Sequence, residues 1–405
     1  IMRFTVSASS GRARLGHLAL SGGPDHPVAM ATPGYLIYNR CGSDPHLPQS
    51  PAGILLTPLN HWLDKLALLR QAGNLRQLCR LRPDRQLLLS LTDHLDYYPT
   101  PGVTAQHVGL PTRSGKAPLT VELQAELTLL TSPELVQPLA DCEIREGDGR
   151  KRARKSVDRS LAFYDRFTTA LEQQGGLGGG GPALMASWVG GYSAEERLRC
   201  LRELESRGAD GLVVEGFRYY NQPVEDFRLA QCESVLTEAL QQQQRSQPPR
   251  PLYFPGLVHP ADIIRAAELG FDLFDGSLPA LLTRRGLAWL TSATGGSWWL
   301  HVGDVELLTA TDRPLDPGCC CRCCRQFSLS YLAHLSLSNE ILASILLMEH
   351  NSARLAAFFN ELRSAIESAE SLGGLATKYA AAVVPPTAAV APLANDQARL
   401  KDDEA

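Results

Sequence analysis

Short apolar segments rich in branched side chains recur along the chain, and each is followed by a longer segment with helical periodicity. Such segments predict β-strands at 86–91, 134–143, 183–189, 211–217, 251–257 and 271–277. Between them, apolar residues at three- and four-residue spacing predict helices at 156–174, 194–208, 225–244 and 260–270. This alternation indicates an α/β fold with a parallel sheet, and the number of units favours a closed (β/α)8 TIM barrel. An open doubly wound sheet is the alternative, but no Gly-rich fingerprint follows the first predicted strand.

Composition and charge narrow the classes of protein that the chain can belong to. It has 405 residues, of which 44% are hydrophobic and 20% charged, which is close to the average for a soluble globular protein. No run of about 18 apolar residues predicts a spanning helix, and the N-terminus lacks the apolar core of a secretory signal. We therefore expect a cytoplasmic protein. With a net charge of −4, a nucleic-acid partner would have to be held by a local basic patch.

Half of the ten cysteines lie within six residues of the segment DPGCCCRCCRQF (316–327). In a reducing compartment, clustered thiols bind metal more often than they form disulfides. Zinc prefers four thiolate or imidazole ligands in a tetrahedron, and a closed set of four serves structure rather than catalysis. The sequence therefore predicts one structural Zn²⁺ near residue 320.

The choice of ligands follows from spacing and from the long amphipathic helix predicted over 339–370. A helical hairpin after the cysteines would bring His350 of that helix back against the turn. The predicted ligands are Cys319, Cys321, Cys324 and His350, which leaves Cys320 and Cys323 as bystanders. On spacing alone, the triplet Cys320, Cys323 and Cys324 and the imidazole of His334 stay open as alternatives.

The zinc motif also carries a resemblance. The pattern C-x-C-x2-C, followed by 25 residues and a histidine, lies between RPLDP (313–317) and EHN (349–351) and resembles the queuine tRNA-ribosyltransferase family. The resemblance covers about residues 12–365, and it is most like the accessory subunit of the eukaryotic enzyme. Its other matching segments are PGYLIYNRCGSDPHL (33–47), KRARKSVDRSL (151–161), GADGLVVEG (208–216), GFDLFDGSLP (270–279) and NEILASILLMEHN (339–351).

The resemblance implies a barrel with a zinc subdomain near its C-terminus. We expect a (β/α)8 barrel with an N-terminal extension over 1–310, and a zinc-binding subdomain with C-terminal helices over 311–370. The Ala- and Pro-rich segment 371–405 is predicted to be a disordered or weakly helical tail.

The family exchanges guanine for queuine at wobble position 34 of tRNAs with GUN anticodons. One carboxylate attacks the ribose C1′ and a second handles the proton. The resemblance places Asp275 at the position of the nucleophile, Asp93 at that of the second carboxylate and Asp141 at that of the base-recognising aspartate.

Three departures argue against a formed active site. His94 and Leu95 replace small residues that let a base approach the backbone, and Val189 replaces a glutamine that hydrogen-bonds the base. The resemblance thus implies a non-catalytic accessory subunit of a heterodimeric enzyme. The alternative is an active transglycosylase that uses Asp275 as its nucleophile.

A basic segment, REGDGRKRARKSVDRS (145–160), contains seven Lys or Arg residues. Together with the resemblance it predicts tRNA contacts by Lys151, Arg152, Arg154 and Lys155, although such a run is also typical of a solvated loop. The expected partners are a catalytic subunit and tRNA, with a homodimer left open. The resemblance further implies cytoplasm and peripheral contact with the mitochondrial outer membrane.

Overall fold

The computed structural model describes residues 2–20, 28–40, 53–96, 102–112, 115–175, 181–217, 222–242, 249–294, 297–368 and 372–386. These residues fall into two compact units. The first unit holds the described residues up to Leu257 together with Arg265–Asp275, and the second holds Val258–Ile264 and the described residues from Gly276 onward. The domain boundary expected after residue 310 stays a prediction.

The strands are numbered in chain order. They are β1 (Met2–Ser10), β2 (Ala13–Leu20), β3 (Val28–Thr32), β4 (Gly34–Tyr38), β5 (Ile54–Pro58), β6 (Gln86–Ser90), β7 (His107–Thr112), β8 (Gly115–Thr120), β9 (Leu135–Val136), β10 (Ala183–Trp188), β11 (Gly211–Val214), β12 (Leu252–Phe254), β13 (Leu273–Asp275), β14 (Leu287–Thr294) and β15 (Ser297–His301).

The helices are numbered in the same way. They are α1 (Asn60–Leu63), α2 (Leu66–Ala72), α3 (Leu75–Cys79), α4 (Val121–Thr131), α5 (Arg150–Gln173), α6 (Ala194–Ser206), α7 (Glu233–Gln241), α8 (Pro260–Leu269), α9 (Leu278–Arg284), α10 (Arg322–Gln326), α11 (Leu329–Leu337), α12 (Ile341–Glu367) and α13 (Leu372–Tyr379). Short 3-10 turns lie at Val224–Asp226, Leu229–Gln231 and Val305–Thr309.

Eight of the described strands close into a parallel barrel in the order β4, β5, β6, β9, β10, β11, β12, β13. The last strand pairs with the first, with Phe274 opposite Tyr35. The predicted (β/α)8 barrel is thus confirmed. In barrels of this kind the chemistry sits at the carboxyl ends of the strands, so residues just after each strand form the barrel mouth.

The barrel differs from the expected strands in two respects. β4 and β5, each five residues long, were not among the predicted strands. The segment predicted as a strand over 134–143 pairs only at Leu135–Val136. Pro138 lacks the N–H that a continuing ladder would need, which ends the pairing early.

Side chains from every barrel strand pack into one core. Its centre includes Leu36, Leu56, Leu88, Met185 and Leu273, all buried. The N-terminal extension is an antiparallel sheet of β1, β2 and β3, and it adds side chains such as Phe4 and Leu18 to this core.

Polar side chains begin the helices that flank the barrel. Thr120 and Ser193 accept hydrogen bonds from the third residues of α4 and α6, as N-cap residues do. The helix α5 begins at Arg150, six residues before the predicted start at 156. Its first turns carry the basic residues of the 145–160 segment, so this segment is largely helical and not an extended loop.

In the second unit, part of the expected disordered tail is ordered. Residues Leu372–Tyr379 form α13, and three hydrogen bonds hold the residues that follow it. They join Trp299 Nε1 to Val383 O (2.8 Å), Arg285 Nη1 to Pro385 O (2.6 Å) and Val384 N to His259 Nδ1 (3.1 Å). The described part of the tail, 372–386, thus includes a helix, whereas residues 387–405 lie outside the described part of the chain. None of the described helices is long and apolar enough to span a membrane.

Candidate functional site

The four predicted metal ligands lie together in the second unit. Cys319 and Cys321 lie in the turn that leads into α10, Cys324 lies in α10, and His350 lies in α12. Their ligand atoms all lie within 4.8 Å of one another. His350 Nδ1 lies 3.7 Å from Cys321 Sγ and 3.4 Å from Cys324 Sγ. A tetrahedral zinc bound to sulfur and nitrogen would separate those atoms by about 3.6 Å. The four side chains could therefore hold a metal ion, and their donor set suits zinc.

The surroundings of His350 fix which ring nitrogen faces the thiols. Its Nε2 lies 2.9 Å from the backbone oxygen of Trp289, so that nitrogen carries the proton and donates it. Nδ1 is left with a lone pair directed toward the cysteines, which is the form that binds a metal.

The residues on either side of His350 hold the same region together. Asn351 accepts a hydrogen bond from Trp289 N (2.9 Å) and donates one to Leu287 O (2.9 Å), which ties α12 to β14. Glu349 forms a two-point ion pair with Arg322 of α10, at 2.9 and 2.6 Å. Three successive residues of α12, Glu349, His350 and Asn351, thus connect this helix to α10, to the cysteine turn and to β14.

The remaining cysteines of the cluster have different surroundings. Cys320 is exposed, whereas Cys323 is buried in an apolar core with residues such as Leu329 and Leu346. Among the described residues, neither they nor His334 belong to the four-residue group. The structure thus brings together the set predicted first and not the alternative triplet.

Asp93 lies at the barrel mouth in a closed polar network. Its Oδ2 accepts a hydrogen bond from Tyr38 Oη (2.6 Å) and lies 3.0 Å from His61 Nε2, and its Oδ1 accepts from Leu95 N (2.9 Å). Asp96 extends the network, because it lies 3.2 Å from His61 Nε2 and 2.7 Å from Arg40 Nη2. We call Tyr38, Arg40, His61, Asp93 and Asp96 the Asp93 cluster.

The contacts within the Asp93 cluster favour the charged forms of Asp93 and His61. Burial raises the pKa of Asp93, but the hydrogen bonds from His61 and Tyr38 outweigh it and hold that pKa well below its usual value. For His61, burial lowers the pKa and the bonds to Asp93 and Asp96 outweigh it, so the pKa lies above 6.5. Two carboxylates then face two cations. The donor atoms of His61, Asp93 and Asp96 could also hold a metal, but Arg40 already supplies the balancing charge.

The Asp93 cluster predicts a pH-dependent stability. Because folding raises the pKa of His61, the contribution of His61 to the free energy of unfolding is fully present below pH 6.5. This contribution is lost as the pH rises through the pKa of His61 in the folded state. His61→Gln should therefore lower the free energy of unfolding by about 2 kcal/mol at pH 6 and by much less at pH 9. Urea denaturation at both pH values measures this. The exposed His17 offers the control, and equal losses from His61→Gln at both pH values would contradict the charged pair.

Asp275 and Val189 also lie at the barrel mouth. Asp275 is the last residue of β13, is buried, and accepts a hydrogen bond from Gly256 N (2.6 Å). Val189 directly follows β10 and is fully buried. Both stand at carboxyl ends of barrel strands, where the resemblance expects them.

Asp141 is fully buried and forms ion pairs with Arg152 and Arg159 of α5. Arg152 is half-buried as a result, whereas Lys151, Arg154 and Lys155 are exposed. Of the four predicted tRNA contacts, three therefore face solvent. The partners of Asp93 and Asp141 carry no local sequence signal, and only the fold brings them together.

Comparisons with known proteins agree with the fold and the cysteine group. The family model described as queuine tRNA-ribosyltransferase matches residues 9–382. Relatives named queuine tRNA-ribosyltransferase accessory subunit 2 include that of Xenopus tropicalis, which is 29% identical over 91% of this chain and 97% of its own. The Gallus gallus protein is 28% identical over 90% and 94%, and the Homo sapiens protein is 28% identical over 85% and 91%. This chain belongs to the queuine tRNA-ribosyltransferase family.

Proposed function

We propose that this chain is a non-catalytic accessory subunit of a queuine tRNA-ribosyltransferase. In this role it pairs with a catalytic subunit and helps to hold the tRNA whose guanine 34 is exchanged for queuine. The names of the relatives and the length of the match support the proposal. Peripheral contact with the mitochondrial outer membrane stays a prediction of the resemblance.

The observation that carries the proposal is the state of Asp93. A carboxylate that handles protons needs a pKa near the working pH and a free oxygen in reach of the substrate. Asp93 has neither. Its pKa lies well below the usual value, and its two oxygens are already hydrogen-bonded to Tyr38, His61 and the backbone N–H of Leu95. Asp93, which the resemblance places at the position of the second carboxylate, is therefore held by contacts within the Asp93 cluster.

Zinc is the proposed occupant of the four-residue group. Cys319, Cys321, Cys324 and His350 would hold it, and the ion would supply cross-linking between the cysteine turn and α12. Four protein ligands leave no open position, so the role proposed is structural.

One observation favours the second candidate, an active transglycosylase. Asp275 is buried at the carboxyl end of the eighth barrel strand and is the counterpart of the nucleophile in the resemblance. Its Oδ2 accepts a hydrogen bond from Gly256 N, which fixes the orientation of the carboxylate. An exchange assay separates the two candidates, as described in the Discussion.

An accessory role requires a surface for the catalytic subunit. Large apolar side chains are exposed in the described part of the second unit, and this set includes Val305, Leu308, Tyr331, Leu337, Ile341 and Ile345. Val305 is 64% exposed and Ile341 71%. Ile341 and Ile345 are one turn apart on α12 and so share a face. We propose that the catalytic subunit covers this apolar surface.

The double substitution Ile341→Lys and Ile345→Lys tests this surface. Two charges placed in a buried interface should weaken the complex with the catalytic subunit by at least roughly 30-fold, since the loss of even one buried anchor costs about 2 kcal/mol. Analytical ultracentrifugation or interferometry measures the affinity. Leu68→Lys, on an exposed position of α2, is the matched control and should change nothing. Unchanged affinity for the double variant would rule the surface out, and a loss of self-association instead would indicate a homodimer.

A further inference from the structure

We propose that Asp141 is a positioning residue that holds the basic helix α5 in place for contact with RNA phosphates, and that it does not read a base. This rests on the proposed function, in which the chain contacts tRNA. The carboxylate of Asp141 is fully buried. Its Oδ1 accepts from Arg152 Nη2 (2.6 Å), and its Oδ2 accepts from Arg152 Nη1 (3.1 Å) and Arg159 Nη1 (3.1 Å).

The backbone of Asp141 is bound by the same helix. Its N–H donates to Ser160 Oγ (2.9 Å), and its carbonyl accepts from Ser156 Oγ (2.6 Å). Both backbone groups and both carboxylate oxygens of Asp141 therefore bond to α5. The partners, at 152, 156, 159 and 160, follow helical spacing and form one face of the helix.

The basic residues of α5 divide between two faces. Lys151, Arg154 and Lys155 lie on the other face, are exposed, and within the described part of the chain their side chains make no hydrogen bond or ion pair. Arg152 differs, because Asp141 neutralises it and the carbonyl of Glu143 also accepts from it. Lys151, Arg154 and Lys155 are therefore the cations that remain available to a partner. A basic face of this kind binds the phosphate groups of a nucleic acid, whatever the base sequence.

A base-recognising role does not suit this environment. A base would have to displace two guanidinium groups and enter a position with no exposed surface. Removing one partner of a buried ion pair is also strongly unfavourable for the group left behind. The carboxylate therefore acts through α5, and its effect on RNA binding should require the three free cations.

The salt dependence of tRNA binding tests which cations face the RNA. The probe is an unmodified tRNA transcript with a GUN anticodon, bound to the full chain in complex with its catalytic subunit. Replacing Lys151, Arg154 and Lys155 together by serine should weaken binding about tenfold at 0.15 M salt and reduce the slope of log K against log salt by about two. Arg152→Gln should leave the slope unchanged, and a reduced slope would show that Arg152 itself contacts phosphate.

A mutant cycle then tests the positioning role. In the wild-type chain, Asp141→Asn should weaken tRNA binding about fivefold. In the variant that already lacks Lys151, Arg154 and Lys155, the same substitution should cause no further loss of affinity. It should also speed amide exchange over residues 150–156. An equal loss in both backgrounds would show that Asp141 contacts the RNA directly, and unchanged or tighter binding would show that it does not position α5. Should Asp141→Asn fail to fold, Arg159→Gln removes one donor and takes its place. Absence of any tRNA binding by the wild-type complex would instead contradict the proposed function.

Discussion

Cys321→Ser is expected to reduce the zinc content of the purified chain from about one ion per molecule to less than about 0.2. A serine hydroxyl is a much poorer zinc ligand than a thiolate, and the three remaining donors cannot close the tetrahedron. Because binding of a structural zinc is coupled to folding, the melting temperature should fall by roughly 10 °C. Elemental analysis and a thermal scan measure the two effects.

The neighbouring cysteines provide controls that separate ligation from packing. Cys320→Ser changes an exposed thiol outside the four-residue group, so zinc content and melting temperature should both stay unchanged. Cys323→Ser places a hydroxyl in an apolar core, so it should lower stability but keep the zinc. Equal zinc loss from Cys320→Ser and Cys321→Ser would show that the ligand set is wrong.

The sequence predicted the barrel because its core strands are buried on both faces and therefore apolar. β10 and β11 show this clearly, since every residue of each is buried. β9 pairs over only two residues, which no pattern of side chains could have shown. The early start of α5 was missed because its first six residues, Arg150 to Lys155, are nearly all charged and carry no apolar period.

Arg197 shows how far tertiary structure can depart from a local pattern. In sequence it reads as one of several charged residues of α6, but it is fully buried. Its guanidinium donates to the carbonyls of Trp188 (2.8 Å), Gly191 (2.8 Å) and Glu215 (2.7 Å), which joins the carboxyl end of β10 and its following turn to the residue after β11. It also lies 3.5 Å from the ring centroid of Phe217. Burial of a lone arginine depends on carbonyls brought together by the fold, and the sequence gives no sign of it.

Some residues of the candidate site could be predicted from the sequence and others could not. Cys319, Cys321, Cys324 and His350 could be predicted because metal ligands need few residue types at restricted spacing. The Asp93 cluster could not, because its members come from the end of β4 and from the segments that follow β4, β5 and β6. Asp93 itself was singled out, but whether it is free or committed depends on the tertiary contacts of His61 and Tyr38.

We propose that this chain lacks exchange activity of its own. The direct test is incorporation of labelled guanine into a tRNA transcript with a GUN anticodon. We expect no incorporation by the purified, zinc-loaded chain and rapid incorporation once the catalytic subunit is added. Asp275→Asn in this chain should leave the rate of the complex unchanged. Incorporation by the chain alone that disappears in Asp275→Asn would contradict the account and establish Asp275 as a nucleophile.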